Sequence, residues 1–156
     1  MIDNVNRTLI PNIKVLSVYT MGVFYLIVGV QHFTNPSFFI EIVPPFLVFH
    51  EAIVYISGFF EIVIGVLLIL RKTRKIGSYL IIFLLVAVFP ANLYLYLSEI
   101  PREALQITKS QALIRLPFQI PLIIIAYWHS GNSNSILLTR ISIILFIPTI
   151  LYFLSL

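Results

Sequence analysis

The stretch that decides the fold is YISGFFEIVIGVLLIL, residues 55–70. Apart from one acidic residue, Glu61, it is the uninterrupted apolar run typical of a transmembrane helix, which needs about 20 mostly apolar residues. A carboxylate at the centre of a bilayer costs about 2.5–3.5 kcal/mol on insertion scales, so ionisable residues at this depth usually face protein instead of lipid. The stretch therefore predicts a membrane-spanning helix whose Glu61 points into a bundle of helices.

The composition extends this prediction to the whole chain. Of its 156 residues, 60% are hydrophobic and 10% are charged, and its mean hydropathy is +1.03. A soluble domain carries roughly 25% charged residues, so we predict an all-α integral membrane protein. The absence of cysteine excludes disulfides and thiolate-bound metals. The net charge of +4 does not indicate nucleic-acid binding, because the basic residues lie at the ends of apolar segments.

Five apolar segments predict a single transmembrane domain over residues 1–156. The spans are expected at about residues 13–33, 52–70, 76–97, 112–128 and 136–155. The loop RKTRK, residues 71–75, is strongly basic, and such loops remain in the cytoplasm. This places the N-terminus, with Arg7 and Lys14, in the cytoplasm of a multi-pass protein of the inner (cytoplasmic) membrane. The predicted fold is a four-helix transmembrane bundle with a fifth, C-terminal transmembrane helix.

The connection between the first two spans, PSFFIEIVPPFLVFHEA at residues 36–52, is rich in phenylalanine. Pro44 and Pro45 interrupt it, and a proline pair ends a helix, so this segment is too broken to cross the bilayer. We expect a short helix around residues 37–42 that lies at the interface or re-enters the bundle as a lid. Protein must cover any re-entrant part, because unpaired backbone cannot face lipid.

Polar residues on four spans are predicted to meet in the outer half of the membrane. Counting 1.5 Å per residue places Glu61 roughly 10–15 Å below the outer surface. The candidate pocket residues are His32, Glu61, Asn92, Arg115 and Gln119. We expect Arg115 to be the counter-charge of Glu61, either directly or through Asn92, Gln119 and a water. The alternative is structural, since buried polar residues also hold membrane helices together by hydrogen bonds.

Small residues and prolines complete the pattern. Gly22 and Gly29 in the first span, and Gly58 and Gly65 in the second, are each spaced to share one helix face, which favours close packing between backbones. We interpret these four glycines as structural. Pro90, in VFPANLY, leaves the carbonyl of Val86 without its helical donor, and prolines of this kind open space between helices.

No catalytic residue can be assigned from the sequence, which contains neither a phosphate-binding loop nor a zinc-protease motif. No metal site and no intrinsic cofactor are predicted. His32 and His50 are expected near the outer surface, and His129 at the opposite side of the membrane. Interfacial histidines that do not ligate a haem iron are the simplest interpretation of all three, so haem is not favoured.

Four segments together resemble the DoxX-like family of small membrane proteins. They are QHFTNPSFFIEIVPP, SGFFEIVIGVLLILRKTRK, VFPANLYLYL and IRLPFQIPLIIIAYW, in this order within residues 22–128. The resemblance implies a four-helix core with its N-terminus inside. The family's recurrent positions correspond here to His32, Pro36, Pro44, Gly58, Glu61, Gly65, Pro90, Asn92, Arg115 and Gln119. The fifth apolar segment departs from the family pattern.

The resemblance also implies a range of functions. Members of that family include a membrane subunit associated with thiosulfate:quinone oxidoreduction, and distant animal relatives act as chaperones. Our leading hypothesis is a pocket for a lipophilic or quinone-like ligand, with quinone as the cofactor left open and a membrane or redox protein as partner. At most, the chain is then a subunit of a quinone-linked oxidoreductase. The alternatives are a non-enzymatic chaperone or scaffold and, third, a transporter. A homo-oligomer is left open as a further form of the protein.

Overall fold

The computed structural model describes the backbone of residues 2–132 and 135–154, and the side chains of residues 11–132 and 135–152. The side chain of Arg7, and Ser155, where the fifth span was predicted to end, lie outside these ranges. The chain is 84% helical, and no strand occurs among the described residues.

Seven helices follow one another along the described chain. They are α1 (Ile2–Thr34), α2 (Pro36–Glu41), α3 (His50–Ile69), α4 (Arg74–Leu97), α5 (Glu99–Ala104), α6 (Lys109–His129) and α7 (Ile136–Leu154). Four segments are long and apolar enough to cross a membrane, namely Pro11–Thr34 of α1 and the whole of α3, α4 and α6. The shorter α7 is also apolar. The predicted all-α membrane fold, with four spans and a further C-terminal helix, is confirmed.

The long helices and α7 form a ring. α1 packs against α3, α3 against α4, α4 against α6 and α6 against α7, and α7 in turn contacts α1. The C-terminal helix is therefore part of the bundle wall instead of an appendage to it. A ring of five helices leaves more room at its centre than a close-packed group of four, and this room becomes important for the site.

α1 and α3 make the closest approach in the bundle, through their glycines. A Cβ atom built on Gly29 would lie 2.8 Å from the carbonyl oxygen of Gly58, and one on Gly65 would lie 2.8 Å from that of Gly22. Distances this short leave no room for a side chain, so backbone meets backbone at both crossing points. As a consequence, His32 on α1 lies directly against Gly58 on α3.

A tight turn joins α3 to α4. Thr73 donates a hydrogen bond from Oγ1 to the carbonyl of Leu67 (2.9 Å), and Arg74 donates from Nε to the carbonyl of Leu68 (3.1 Å). A cation at a helix C-terminus is favourable because the last carbonyls carry partial negative charge. Gly77 lets the start of α4 pass close to α3, since a Cβ there would lie 2.8 Å from the amide nitrogen of Leu68.

Charge divides the bundle into two ends. The end that carries Lys14, the turn at residues 71–75, His129 and Arg140 has no acidic side chain among those described, and we call it the basic end. The opposite end carries α2, α5 and the long loop before α3. It holds the acidic residues Glu41, Glu51, Glu99 and Glu103, together with Arg102 and Lys109, and we call it the acidic end.

Candidate functional site

One cavity of about 260 Å³ lies inside the ring of helices. All five pocket residues predicted from the sequence line it: His32, Glu61, Asn92, Arg115 and Gln119. Its remaining wall is mostly apolar, with Met21, Leu84 and Ile125 among the lining residues. The cavity therefore combines a few polar side chains with a mostly apolar wall, which is the general character of a small-molecule site.

The short helix α2 covers the cavity at the acidic end. Phe38 and Phe39 both line the cavity. The ring of Phe39 stacks on the imidazole of His32, with ring centroids 3.5 Å apart and planes inclined by 21°. The ring of Phe38 lies 6.0 Å from the guanidinium carbon of Arg115. The helix therefore lies over the cavity and contacts two of its polar residues, His32 and Arg115.

Glu61 faces the interior, and its side chain contacts a histidine. Glu61 is 7% exposed, and one carboxylate oxygen, Oε2, lies 3.2 Å from Nδ1 of His32. The same Nδ1 is 2.9 Å from the carbonyl oxygen of Val28. Because a carbonyl can only accept, the Nδ1 hydrogen points at Val28 and not at Glu61. Oε2 of Glu61 is left as a buried acceptor without a hydrogen-bond partner among the described atoms.

The predicted direct pair between Glu61 and Arg115 is not formed. Among the described side chains, a basic and an acidic group lie within 4.0 Å of each other at His32 with Glu61 and at Arg102 with Glu99. The reason lies in packing: the glycine contacts bring His32 to Glu61, whereas α7 brings a tyrosine to Arg115. Glu61 and Arg115 share one cavity and are not joined to each other.

Arg115 interacts instead with the hydroxyl of Tyr152 on α7. The ring of Tyr152 stacks on Phe118, one turn further along α6, with centroids 4.0 Å apart. The Nε–H group of Arg115 is buried and has no hydrogen-bond partner among the described atoms. Arg115 and Glu61 therefore line the same cavity, and each has one buried polar atom without a hydrogen-bond partner among the described atoms.

Gln119 joins two helices, while Asn92 remains at the wall. The buried amide of Gln119 donates from Nε2 to the carbonyl of Leu85 on α4 (3.3 Å). This carbonyl is adjacent to that of Val86, which Pro90 deprives of its helical donor. Asn92 is half-buried on the same helix and lines the cavity.

Sequence reasoning missed five polar residues of the cavity: Ser17, Tyr25, Ser57, Thr149 and Tyr152. Tyr25 is buried and close enough to interact electrostatically with Glu61. Its spacing of seven residues from His32 places both on one helix face. This spacing could have predicted that Tyr25 lines the same cavity as His32. Tyr152 could have been predicted because an arginine inside a membrane needs a polar partner.

Side chains that could bind a metal ion are not grouped together in the described part of the chain. No group of three or more His, Cys, Asp or Glu side chains there is arranged to hold a metal ion. His50 lies at the first residue of α3 and does not line the cavity.

The fold and the cavity define a class: a multi-pass α-helical membrane protein with a lidded internal site. Residues 21–130 match a family described as "Domain of unknown function (DUF8561)", and because this is more than half of the chain, the protein belongs to that family. Searches of curated proteins and of solved structures gave no match. The matched region ends before α7, so the helix that carries Tyr152 lies outside it. The resemblance to the DoxX-like family stays a prediction.

Proposed function

We propose that this protein binds a lipophilic molecule with a polar head, of the quinone class, in the internal cavity. The observation that carries the proposal is the shared cavity, two of whose lining residues, Arg115 and Glu61, each have a buried polar atom without a partner among the described atoms. Buried polar atoms without partners are uncommon, because each costs about 1–3 kcal/mol in lost hydrogen bonding. A ligand head that accepts from Arg115 and donates to Glu61 would satisfy both atoms.

A quinone or its reduced form fits these two atoms chemically. A ring carbonyl accepts from Nε–H of Arg115, and a ring hydroxyl donates to Oε2 of Glu61. When bound, the quinone would supply two-electron, two-proton redox chemistry. The chain's own part is to orient the ring, to exclude water through the α2 lid, and to hold a proton at Glu61 or His32. The apolar wall formed by Met21, Leu84 and Ile125 suits an isoprenoid tail.

In this proposal the protein is a membrane subunit of a redox system, as the resemblance to the DoxX-like family implies. Electrons would come from a partner membrane or redox protein. The chain would lie in the cytoplasmic membrane with its N-terminus inside, because its basic end then faces the cytoplasm.

Filling the cavity tests ligand binding directly. Ala91 lines the cavity, whereas Ala87, one turn earlier on α4, is exposed on the outside of the bundle. We expect Ala91→Phe to lose most of the lipophilic molecule that co-purifies with the parent, and Ala87→Phe to retain it. The measurement is mass spectrometry of organic extracts from equal amounts of purified protein. Equal retention by the two folded variants would refute a ligand in this cavity.

A second candidate function is that of a non-enzymatic scaffold or chaperone, in which the polar residues only hold helices together. The hydrogen bond from Gln119 to Leu85 and the contact between His32 and Glu61 favour it, because each joins two helices. In that case Ala91→Phe leaves partner assembly intact, while substitution of Gln119 by leucine weakens the bundle.

The membrane orientation can be tested with single cysteines, since the chain has none of its own. We expect a membrane-impermeant maleimide to label Glu103→Cys in intact cells and to label Lys72→Cys only after permeabilisation. The physical reason is that the basic turn stays on the cytoplasmic side. Labelling in the reverse order would place the N-terminus outside.

A further inference from the structure

A second polar site lies at the basic end of the bundle, away from the residues of the proposed ligand head. Lys14 on α1 and Arg74 at the start of α4 are both half-buried there and are close enough to repel each other electrostatically. The amino group of Lys14 lies 5.3 Å from the ring centre of Trp128, and the guanidinium of Arg74 lies 6.0 Å from the ring centre of Tyr19. Both cations are therefore held in place by aromatic rings.

His129 is packed into the same cluster. It is 3% exposed, and its Nε2 is 2.9 Å from Oγ of Ser17, one turn after Lys14 on α1. Both cations act on it electrostatically. Its other ring nitrogen, Nδ1, is buried and has no hydrogen-bond partner among the described atoms. Either tautomer leaves Nδ1 unsatisfied, and the one with hydrogen on Nδ1 offers a donor.

No acidic side chain in the described part of the chain lies at this cluster. Among the described side chains, the acidic residues are Glu61 and the four glutamates of the acidic end. Arg74 uses its hydrogen bonds on the neutral carbonyls of Leu68 and Ile69, which leaves its charge uncompensated. Two half-buried cations and a buried histidine with an unsatisfied nitrogen therefore lie together without an acidic side chain among those described, and a negative group from outside the chain would compensate them.

We propose that this cluster binds a phosphate group, as on the headgroup of an anionic phospholipid. Lys14 and Arg74 would neutralise the phosphate, and Nδ1 of His129 would donate to one of its oxygens. The position favours a lipid, because the cluster lies where the spanning segments of α1, α4 and α6 end, at the level of the headgroups. Basic pockets between membrane helices are suited to anionic headgroups for this reason. The inference does not depend on the cavity or on its ligand.

The test uses the full chain in nanodiscs, with thermal stability and retained lipid as readouts. We expect phosphatidylglycerol to stabilise the parent more than phosphatidylcholine does. The double variant Lys14→Gln/Arg74→Gln should lose this difference, and each single variant should bind phosphatidylglycerol roughly fivefold more weakly, the effect of one basic residue near a charged headgroup. Arg71→Gln/Lys72→Gln removes the same charge from exposed positions of the neighbouring turn and serves as the matched control.

A phosphatidylglycerol effect that the control pair abolishes equally would reduce the site to diffuse surface charge and overturn the proposal. In a separate experiment, inorganic phosphate is added to the protein in phosphatidylcholine nanodiscs. If phosphate stabilises the parent but not Lys14→Gln/Arg74→Gln, the cluster binds an anion, but a lipid is not needed as its source. His129→Gln, with its fold verified by circular dichroism, should weaken retention of phosphatidylglycerol without changing the net charge that the lysine and arginine provide.

Discussion

Gly29→Ala is expected to destabilise the protein by about 1–3 kcal/mol, the usual cost of adding atoms to a packed core. The added methyl would lie 2.8 Å from the carbonyl oxygen of Gly58 and 2.9 Å from the amide nitrogen of Ile62. Both are backbone atoms of α3, so relief requires the two helices to separate. In an open helix position the same change would stabilise by about 1 kcal/mol, through helix propensity alone. The sign of the change in stability therefore shows whether the backbones of α1 and α3 are in close contact at Gly29.

Gly22→Ala supplies the graded control. There the nearest atom is 2.6 Å away but belongs to the flexible side chain of Ile69, and the nearest backbone atom, the Gly65 carbonyl oxygen, is 3.2 Å away. We expect a smaller loss than for Gly29→Ala when unfolding is followed by circular dichroism in detergent. Gly29→Leu should prevent α1 and α3 from pairing. If Gly29→Ala were neutral or stabilising, the close α1–α3 contact would be wrong.

The membrane fold could be predicted from the sequence because hydropathy and helix length act over whole segments. The inward placement of the polar residues was predictable for a similar reason. A polar group in a membrane helix costs several kcal/mol when it faces lipid, so Glu61, Arg115 and Gln119 had to turn towards protein. Helical rise then gave their depth, and the structure brings all five predicted pocket residues to one cavity.

The pairing inside the cavity could not be predicted in the same way. Helical rise fixes depth, but the order of the helices around the ring and their rotations depend on side-chain packing. Because α1 and α3 pack closely at their glycines, His32 contacts Glu61, and because α7 completes the ring, Tyr152 lies next to Arg115. The buried environment of His129 was missed because a histidine at the end of a span looks the same in sequence whether it is exposed or enclosed.

Arg115→Leu is expected to weaken binding of a short-chain benzoquinone by about ten- to a hundredfold, the loss of one hydrogen bond from a charged donor, about 1.5–3 kcal/mol. Glu61→Gln should weaken the reduced, hydroxyl-bearing form more than the oxidised form, because the carboxylate is the better acceptor. Equilibrium dialysis into detergent micelles measures both affinities. Arg140→Leu, which removes an exposed arginine outside the cavity, should bind like the parent.

Two further measurements separate recognition of the ligand head from a structural role of Arg115. An alkylbenzene of similar size, which lacks ring oxygens, should bind equally to the parent and to Arg115→Leu, because it uses only the apolar wall. Thermal stability should fall little in Arg115→Leu, since leucine removes a partly buried charge and leaves Tyr152 able to stack on Phe118. If Arg115→Leu instead lost stability and bound both probes equally weakly, Arg115 would serve the bundle through Tyr152, and the head of the proposed ligand would have no donor in this cavity.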